Sequence, residues 1–471
     1  MNKRLFNLFV ALFVFVGLSF AQKQPKYIFF MIGDGMGLNQ VHATEVYLAA
    51  KKQRNSTIPL VFSQFPHATF ATSYSLSSGV TDSGAGGTAL AVGYKTKNGV
   101  IGMDSIGAKP YKSIAYYAKE KGMKVGITTS VSIDHATPAS FFANQPDRDM
   151  YYEIGLDIIK SNFDFFGGSG FLRPEQNAKK EKAPSIFPQL EKAGYKLLYG
   201  LEDYKKAKNQ NGKFILMNDK GASTDALKFA IDQQASDLKL AEITSAAIEN
   251  LSKGDKGFFL MVEGGKIDWA CHANDGATAI KEVLDFNDAV SKAYEFYLKH
   301  PDETLIIVTA DHETGGIGVG VSSSTMKLPN IDFQQISQGA LSGLINDFRT
   351  KNQNASWEQV KEFLSKHTGL WNQVKPAKDE EEAIFAAYEK SFVNHQNETE
   401  KSLYATNDKI AALAIKSLNK SSSIGWNTGG HSAAYIPVYA IGVGAEKFSK
   451  KMENTDIPRT VAKIAGWNME K

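Results

Sequence analysis

Tyr27-Ile28-Phe29-Phe30-Met31-Ile32-Gly33-Asp34-Gly35-Met36-Gly37 is a short apolar run that ends in a glycine-flanked aspartate. An uninterrupted apolar run of this length reads as a strand buried on both faces. Ligands of open α/β sheets bind at the carboxyl ends of the strands, so Asp34 stands where function is expected. Asp-Gly is also a common turn, and the reading depends on whether the pattern recurs. It does. Phe258-Phe259-Leu260-Met261-Val262 ends in Glu263, and Thr304-Leu305-Ile306-Ile307-Val308-Thr309-Ala310 ends in Asp311-His312. Further strand-like runs lie at 124–131, 163–166, 213–217 and 438–443, and helical patterns lie near 39–52, 111–121 and 238–251. Strands that alternate with helices, without hairpin signals, predict an α/β fold: a mainly parallel central sheet with helices on both faces.

Two segments differ in texture. Residues 171–225 are lysine-rich and read as solvated periphery, because aromatics are not interleaved with the charges as a nucleic-acid surface requires. Between 321 and 426 helical patterns dominate, at 357–366, 379–395 and 407–418, with Ser356 and Gln359 spaced as a capping box. This block is expected to be a mostly helical insertion that returns to the sheet before His431. A lid, a dimer contact and passive cover all fit it.

The chain has 471 residues, 43% hydrophobic and 22% charged, with a net charge of +3, which suits a globular protein and gives no reason for nucleic acid or a membrane surface. Lys3 and Arg4, an apolar run over 5–20 and Ser19-Phe20-Ala21 read as a signal peptide over 1–21, so residues 22–471 are expected as one exported catalytic domain, periplasmic or secreted. Cys271 is the only cysteine, so no disulfide forms within the chain. It reads as a small buried hydrophobe or, less simply, as a thiolate metal ligand.

The chemistry gathers around Thr81-Asp82-Ser83-Gly84-Ala85-Gly86-Gly87-Thr88, where a serine stands between an aspartate and a glycine-rich turn, with a helix expected from Ala89. Such a turn admits an anion and a helix start aims N–H groups at it, but a serine hydroxyl needs a base or a metal to become a nucleophile. A surface loop before a helix fits the octapeptide equally. The candidate activators are Asp34, Glu263, Asp311 and His312, with Asp268 and His272 four apart and His431 in Thr428-Gly429-Gly430-His431. Mixed imidazole and carboxylate donors suit zinc, and all-oxygen sites suit magnesium. Individually, Asp268 and His272 fit a surface helix pair, and Arg148, between Asp147 and Asp149, fits a surface ion pair. Their joint occurrence after strands and glycine-rich turns favours a site.

These segments, in this order, resemble the motifs of alkaline phosphatases: Gly33-Asp34-Gly35-Met36-Gly37, Thr81 to Ala89, Val262-Glu263-Gly264-Gly265-Lys266-Ile267-Asp268, Thr309 to Gly316 and Gly429-Gly430-His431. The resemblance spans about 27–443. It implies a broad-specificity phosphomonoesterase with an alkaline optimum, a phosphoserine intermediate on Ser83, two zinc ions and one magnesium per subunit, and a homodimer. Asp268, His272 and His431 would hold one zinc; Asp34, Asp311 and His312 would hold the other; Glu263 and Thr137 would join Asp34 at magnesium. Arg148 would clamp two phosphate oxygens. The partners implied are small phosphate monoesters, with no obligate nucleic acid and no membrane after signal cleavage. His135, where some members carry an acid, and Trp269, where some carry a lysine, resemble a subgroup that includes marine and cold-adapted bacterial enzymes. His135 reads either as a hydrogen bonder behind the ligands or as a ligand that draws zinc to the third site.

Overall fold

The structure, a computed structural model, describes residues 23–321 and 325–469. The leader expected at 1–21 lies outside them.

Ten strands form one sheet: β1 (Tyr27–Gly33), β2 (His67–Thr72), β3 (Lys124–Thr129), β4 (Phe165–Gly167), β5 (Tyr195–Tyr199), β6 (Lys213–Met217), β7 (Phe258–Gly264), β8 (Thr304–Thr309), β9 (Ile436–Gly442) and β10 (Met452–Glu453). Their order across the sheet is β10-β2-β9-β8-β1-β7-β3-β4-β6-β5. β1 runs parallel to β7 and β8, and β3 parallel to β7, while β9 is antiparallel to both its neighbours. Every residue of β1, β7 and β8 is buried, including the ones that point to opposite faces, so both faces of the central sheet are covered.

The parallel register places the site. Ile32 pairs with Glu263 and with Thr309, and Thr129 pairs with Glu263, so Asp34, Glu263 and Asp311 reach one edge of the sheet together. Because β9 is antiparallel, its start lies at that edge, which brings in His431 just before it. His431–Ser432 is fixed by a short antiparallel pairing with Glu313–Thr314.

The helices that serve the site are α1 (Leu38–Lys51), α2 (Ser83–Val92), α3 (Ala136–Phe142), α4 (Lys266–His272) and α5 (Gly276–Tyr297). The helix expected from Ala89 begins instead at Ser83, with Asp82 as its N-cap accepting from the Ala85 N–H at 2.9 Å. The glycines are helical residues. A Cβ at Gly86 would meet the Asp311 carbonyl at 2.9 Å and one at Gly87 the Thr137 Cα at 3.1 Å, so α2 is glycine-rich to lie directly on the backbone at Asp311 and on α3.

The lysine-rich stretch is more ordered than its composition suggests. It contains helices Ile186–Lys192 and Gly200–Ala207, and β5, which is the far edge of the sheet. Lys196 on this edge strand opposes pairing with another chain, and the lysine-rich segments flanking the strand hid it from pattern reading. β2 was hidden because its residues are mostly half-exposed or exposed.

The expected insertion is helical: α6 (Gln338–Lys351), α7 (Trp357–Thr368), α8 (Lys378–Tyr388) and α9 (Lys409–Ser421). Ser356 and Gln359 form the expected capping box. The pattern at 379–395 stops being α-helical at Tyr388 and continues as one wider turn, Glu389–Val393. Leu341, Ile345, Leu364, Ile384, Ile415 and Leu418 belong to a core cluster separate from the one under the sheet. Between α8 and α9 a polar hairpin, Thr399–Lys401 paired with Thr406–Asp408, projects from the block; nothing in the sequence pattern announced it.

Candidate active site

Three groups of donors, all buried except the half-buried His431, converge at the sheet edge: Asp268 with His272 and His431, Asp34 with Asp311 and His312, and Asp34 with His135 and Glu263. Within each group the ligand atoms lie within 4.8 Å of one another. Asp34 belongs to two groups, because it sits directly after the central strand β1.

In the first group, one turn of α4 carries both Asp268 and His272, and Asp268 Oδ2 lies 3.3 Å from His272 Nε2. His431 Nε2 lies 3.0 Å from His272 Nε2 and 3.5 Å from Asp268 Oδ1. The Nδ1 atoms are occupied elsewhere: that of His272 is 2.7 Å from the Gly429 carbonyl, and that of His431 is 2.8 Å from the Thr81 carbonyl. An Nδ1–H donated to a carbonyl leaves the Nε2 lone pair for a ligand. Two such lone pairs and a carboxylate facing one point form a donor set that a cation completes. Thr314 Oγ1 donates to Asp268 Oδ1 and fixes that carboxylate.

In the second group, His312 Nε2 lies 3.4 Å from Asp34 Oδ1 and 3.4 Å from Asp311 Oδ2. Asp311 Oδ1 accepts from the N–H groups of Gly35 and His312 at 3.3 and 3.0 Å. Ser83 Oγ is 3.2 Å from His312 Nε2, so the first residue of α2 faces this group. The His312 and His431 rings stack with centroids 3.7 Å apart, which joins the first two groups.

In the third group, Thr137 Oγ1 lies 3.4 Å from Asp34 Oδ2 and 3.3 Å from Asp311 Oδ2, and Thr129 donates to Glu263. His135 stands at the N-cap of α3, buried.

The electrostatics are those of crowded acids. Burial, then the Asp311, Asp268 and Glu263 charges, holds Asp34 well above the usual carboxylate range. Burial pushes Glu263 up to about 8 and Asp311 up to about 7. Asp34 Oδ1, Glu263 Oε1 and both nitrogens of His135 are buried without a hydrogen-bond partner. Buried polar atoms without partners are costly, and here they all point to the same edge. The donors present therefore fit metal ions, with imidazole and carboxylate in all three groups and the Thr137 hydroxyl beside the third.

Arg148 is not an ion pair with its sequence neighbours. Its Nη1 lies 3.0 Å from Asp82 Oδ2, and its Nη2 lies 3.3 Å from the Tyr404 hydroxyl. Asp82 thus caps α2, accepts from the Gly99 N–H at 3.0 Å and holds Arg148 next to Ser83. Trp269 stacks on Tyr404 with centroids 4.6 Å apart, and His135 lies edge-on to Trp269 at 6.1 Å. Cys271 is buried beside Gln40, with Nε2 to Sγ at 3.8 Å, and belongs to none of the donor groups.

Apart from Cys271, every candidate drawn from the sequence lies at this edge. Three participants were missed: Asp82 as the partner of Arg148, Thr314 behind Asp268, and Tyr404. The position of Asp82 before a helix was a usable signal; for Tyr404 there was none.

The family model for alkaline phosphatase matches residues 25–163 and 174–467. Alkaline phosphatase 4 of Bacillus subtilis (strain 168) is 32% identical, over 94% of this chain and 90% of that protein. A cold-active alkaline phosphatase from a psychrophilic Shewanella species superposes with a TM-score of 0.77 at 27% identity, covering 93% of this chain and 99% of that one. The enzyme of the Antarctic bacterium TAB5 superposes with a TM-score of 0.65 at 27% identity, covering 95% of this chain and 99% of that one. One solved form of the TAB5 enzyme carries a histidine-to-aspartate substitution and has magnesium in its M3 site.

Proposed function

This chain belongs to the alkaline phosphatase family and is a metal-binding phosphatase of phosphate monoesters, and on that premise we propose that it works through a phosphoserine on Ser83 at a site for two zinc ions and one magnesium. The observation that carries this reading is the convergence of Ser83 Oγ, His312 Nε2 and the two carboxylates of Asp34 and Asp311 at one sheet edge, beside the paired imidazoles of His272 and His431.

In this reading Asp268, His272 and His431 hold the first zinc. Asp34, Asp311 and His312 hold the second, and Asp34, Glu263 and Thr137 hold magnesium. Bound there, the ions supply positive charge that polarises phosphoryl oxygens and lowers the pKa of a nucleophilic hydroxyl. The chain itself positions the reaction. Asp82 keeps the Arg148 guanidinium fixed so that its remaining N–H groups meet two phosphate oxygens. The Gly429 and Thr81 carbonyls hold the two imidazoles in one tautomer. Ser83 Oγ attacks phosphorus, the P–O bond to the alcohol breaks, and the alcohol leaves in line. Water then displaces Ser83 from phosphorus, and inorganic phosphate is released. Positioning and electrostatics carry the rate.

His135 distinguishes the third site. Imidazole favours zinc over magnesium, so this site takes either ion, and a carboxylate in its place would favour magnesium. The magnesium-bound TAB5 variant, with histidine changed to aspartate, accords with that preference. Trp269 in place of a lysine leaves one positive contact fewer for product phosphate. Export by the 1–21 leader, one catalytic domain over 22–471, a homodimer and broad specificity complete the proposal. No helix among the described residues is long and apolar enough to cross a membrane.

The test compares hydrolysis of mono- and bis-p-nitrophenyl phosphate, with acid quenching to trap the enzyme-bound phosphate. Preferred cleavage of the monoester and a phosphate recovered on Ser83 are expected. Faster cleavage of the diester, or label on another residue, contradicts the proposal.

A further inference from the structure

Tyr404 reaches the site from outside the sheet. It sits in the turn of the hairpin Thr399–Lys401 and Thr406–Asp408, which belongs to the helical insertion. That hairpin is tied down. Asp408 receives Arg349 Nη2 at 2.5 Å, its N–H donates to Ser342 Oγ at 3.0 Å, and its Oδ1 caps α9 through the Ile410 N–H at 2.8 Å. Ser402 N–H closes the turn on the Ala405 carbonyl at 2.8 Å. The insertion thus presents Tyr404 from a braced support.

The ring of Tyr404 is held against the site. It stacks on Trp269 with an interplanar angle of 16° and lies 5.6 Å from the His272 ring and 5.7 Å from the His135 ring. Behind the pair is a cavity of about 760 Å³, lined also by Phe229 and by Lys266, whose ammonium lies 6.0 Å from the Trp269 ring centroid. Their position depends on the stack and on the hairpin.

The geometry points to Tyr404 as a positioning residue through which the helical insertion holds Arg148 for phosphate. The guanidinium is gripped at two terminal nitrogens: Asp82 takes Nη1 at 3.0 Å, and the Tyr404 hydroxyl takes Nη2 at 3.3 Å. Two grips fix the plane of a group that a single ion pair leaves free to swing. The choice of a phenol has a physical reason. A phenol that keeps its proton accepts from Arg148 without adding a negative charge beside the phosphate. A second carboxylate in that position would hold the arginine equally well and cancel its charge.

This inference rests on the phosphomonoesterase reading and is tested on the metal-loaded full chain by a double-mutant cycle. Tyr404→Phe, which keeps the ring and its stack, Arg148→Ala and the double variant are compared with wild type. Two readouts are taken: the dissociation constant for inorganic phosphate by calorimetry, and kcat and KM for p-nitrophenyl phosphate. Tyr404→Phe is expected to weaken phosphate about tenfold and to raise KM by a similar factor, with kcat changed by less than about threefold, as for loss of one hydrogen bond to a charged group. In the Arg148→Ala background the same substitution is expected to change nothing. An unchanged phosphate constant in Tyr404→Phe overturns the inference, and so does an equal loss with and without Arg148. A wild type that neither binds phosphate nor cleaves the ester overturns both the inference and the reading beneath it. A wild type that does both, beside an unaffected Tyr404→Phe, overturns the inference alone.

Discussion

Asp34 shows how a single side chain acquires its role from its place. It follows a fully buried central strand of the sheet, it shares two donor groups, and the charges of three other acids crowd it. Its place at the sheet edge was legible because a buried strand ending in an acid has few structural excuses. The same holds for Glu263, Asp311 and His312. Arg148 was legible as a residue but not as a contact: its partner is Asp82, 66 residues away in the chain, not a neighbouring aspartate. Two predictions belong at this scale. His135→Asp should raise the affinity of the third site for magnesium relative to zinc, read by metal analysis after dialysis against both ions; unchanged metal content would count against His135 facing that site. Trp269→Lys should strengthen inhibition by phosphate several-fold, on the order of one added hydrogen bond between charged groups. An unchanged inhibition constant would remove Trp269 from the account.

At the scale of elements, the reading of α2 was half right. Glycines were read as a turn, whereas they are the contact surface of a helix. Sequence patterns report local preference, and here close packing on Asp311 and Thr137 outweighs the helix cost of glycine, about 1 kcal/mol per residue. The hairpin around Tyr404 escaped for the complementary reason: a projecting ribbon is polar, and apolar periodicity does not mark it. The hairpin's anchor gives a prediction. Arg349 and Asp408 form a buried ion pair, and Arg349→Ala leaves the carboxylate unpaired, at a cost of about 3 kcal/mol. Denaturant unfolding should show this loss, and KM should rise as Tyr404 loosens; a loss of stability with unchanged KM would uncouple the hairpin from the site. The helix α5 gives a second. Burial pushes Glu282 up to about 8, and its Oε1 accepts from the Ala230 N–H at 2.5 Å. A raised carboxyl favours folding while it stays protonated, so its contribution is full below its unfolded pKa and is lost as pH rises through about 8. Glu282→Gln keeps the acceptor and removes the titration. Between pH 5 and pH 8 it should therefore lose less stability than wild type in denaturant midpoints, and parallel pH profiles would refute the assignment.

The whole molecule is a sheet whose edge gathers acids and imidazoles, with a helical block that carries its own core and reaches back to that edge through one hairpin. The sheet was legible because its central strands are continuous apolar runs. The purpose of the block was not, since lid, dimer contact and cover share one helical pattern. The central claim, that Ser83 acts as a nucleophile in a metal-dependent phosphomonoesterase, is tested most directly by p-nitrophenyl phosphate hydrolysis at alkaline pH. Wild type and Ser83→Ala would be assayed side by side, each as prepared, after chelation, and after return of zinc with and without magnesium. The account predicts wild-type turnover that chelation nearly abolishes and zinc restores, and almost none from Ser83→Ala with the same metal content. Undiminished turnover by metal-loaded Ser83→Ala, or by chelated wild type, would contradict it.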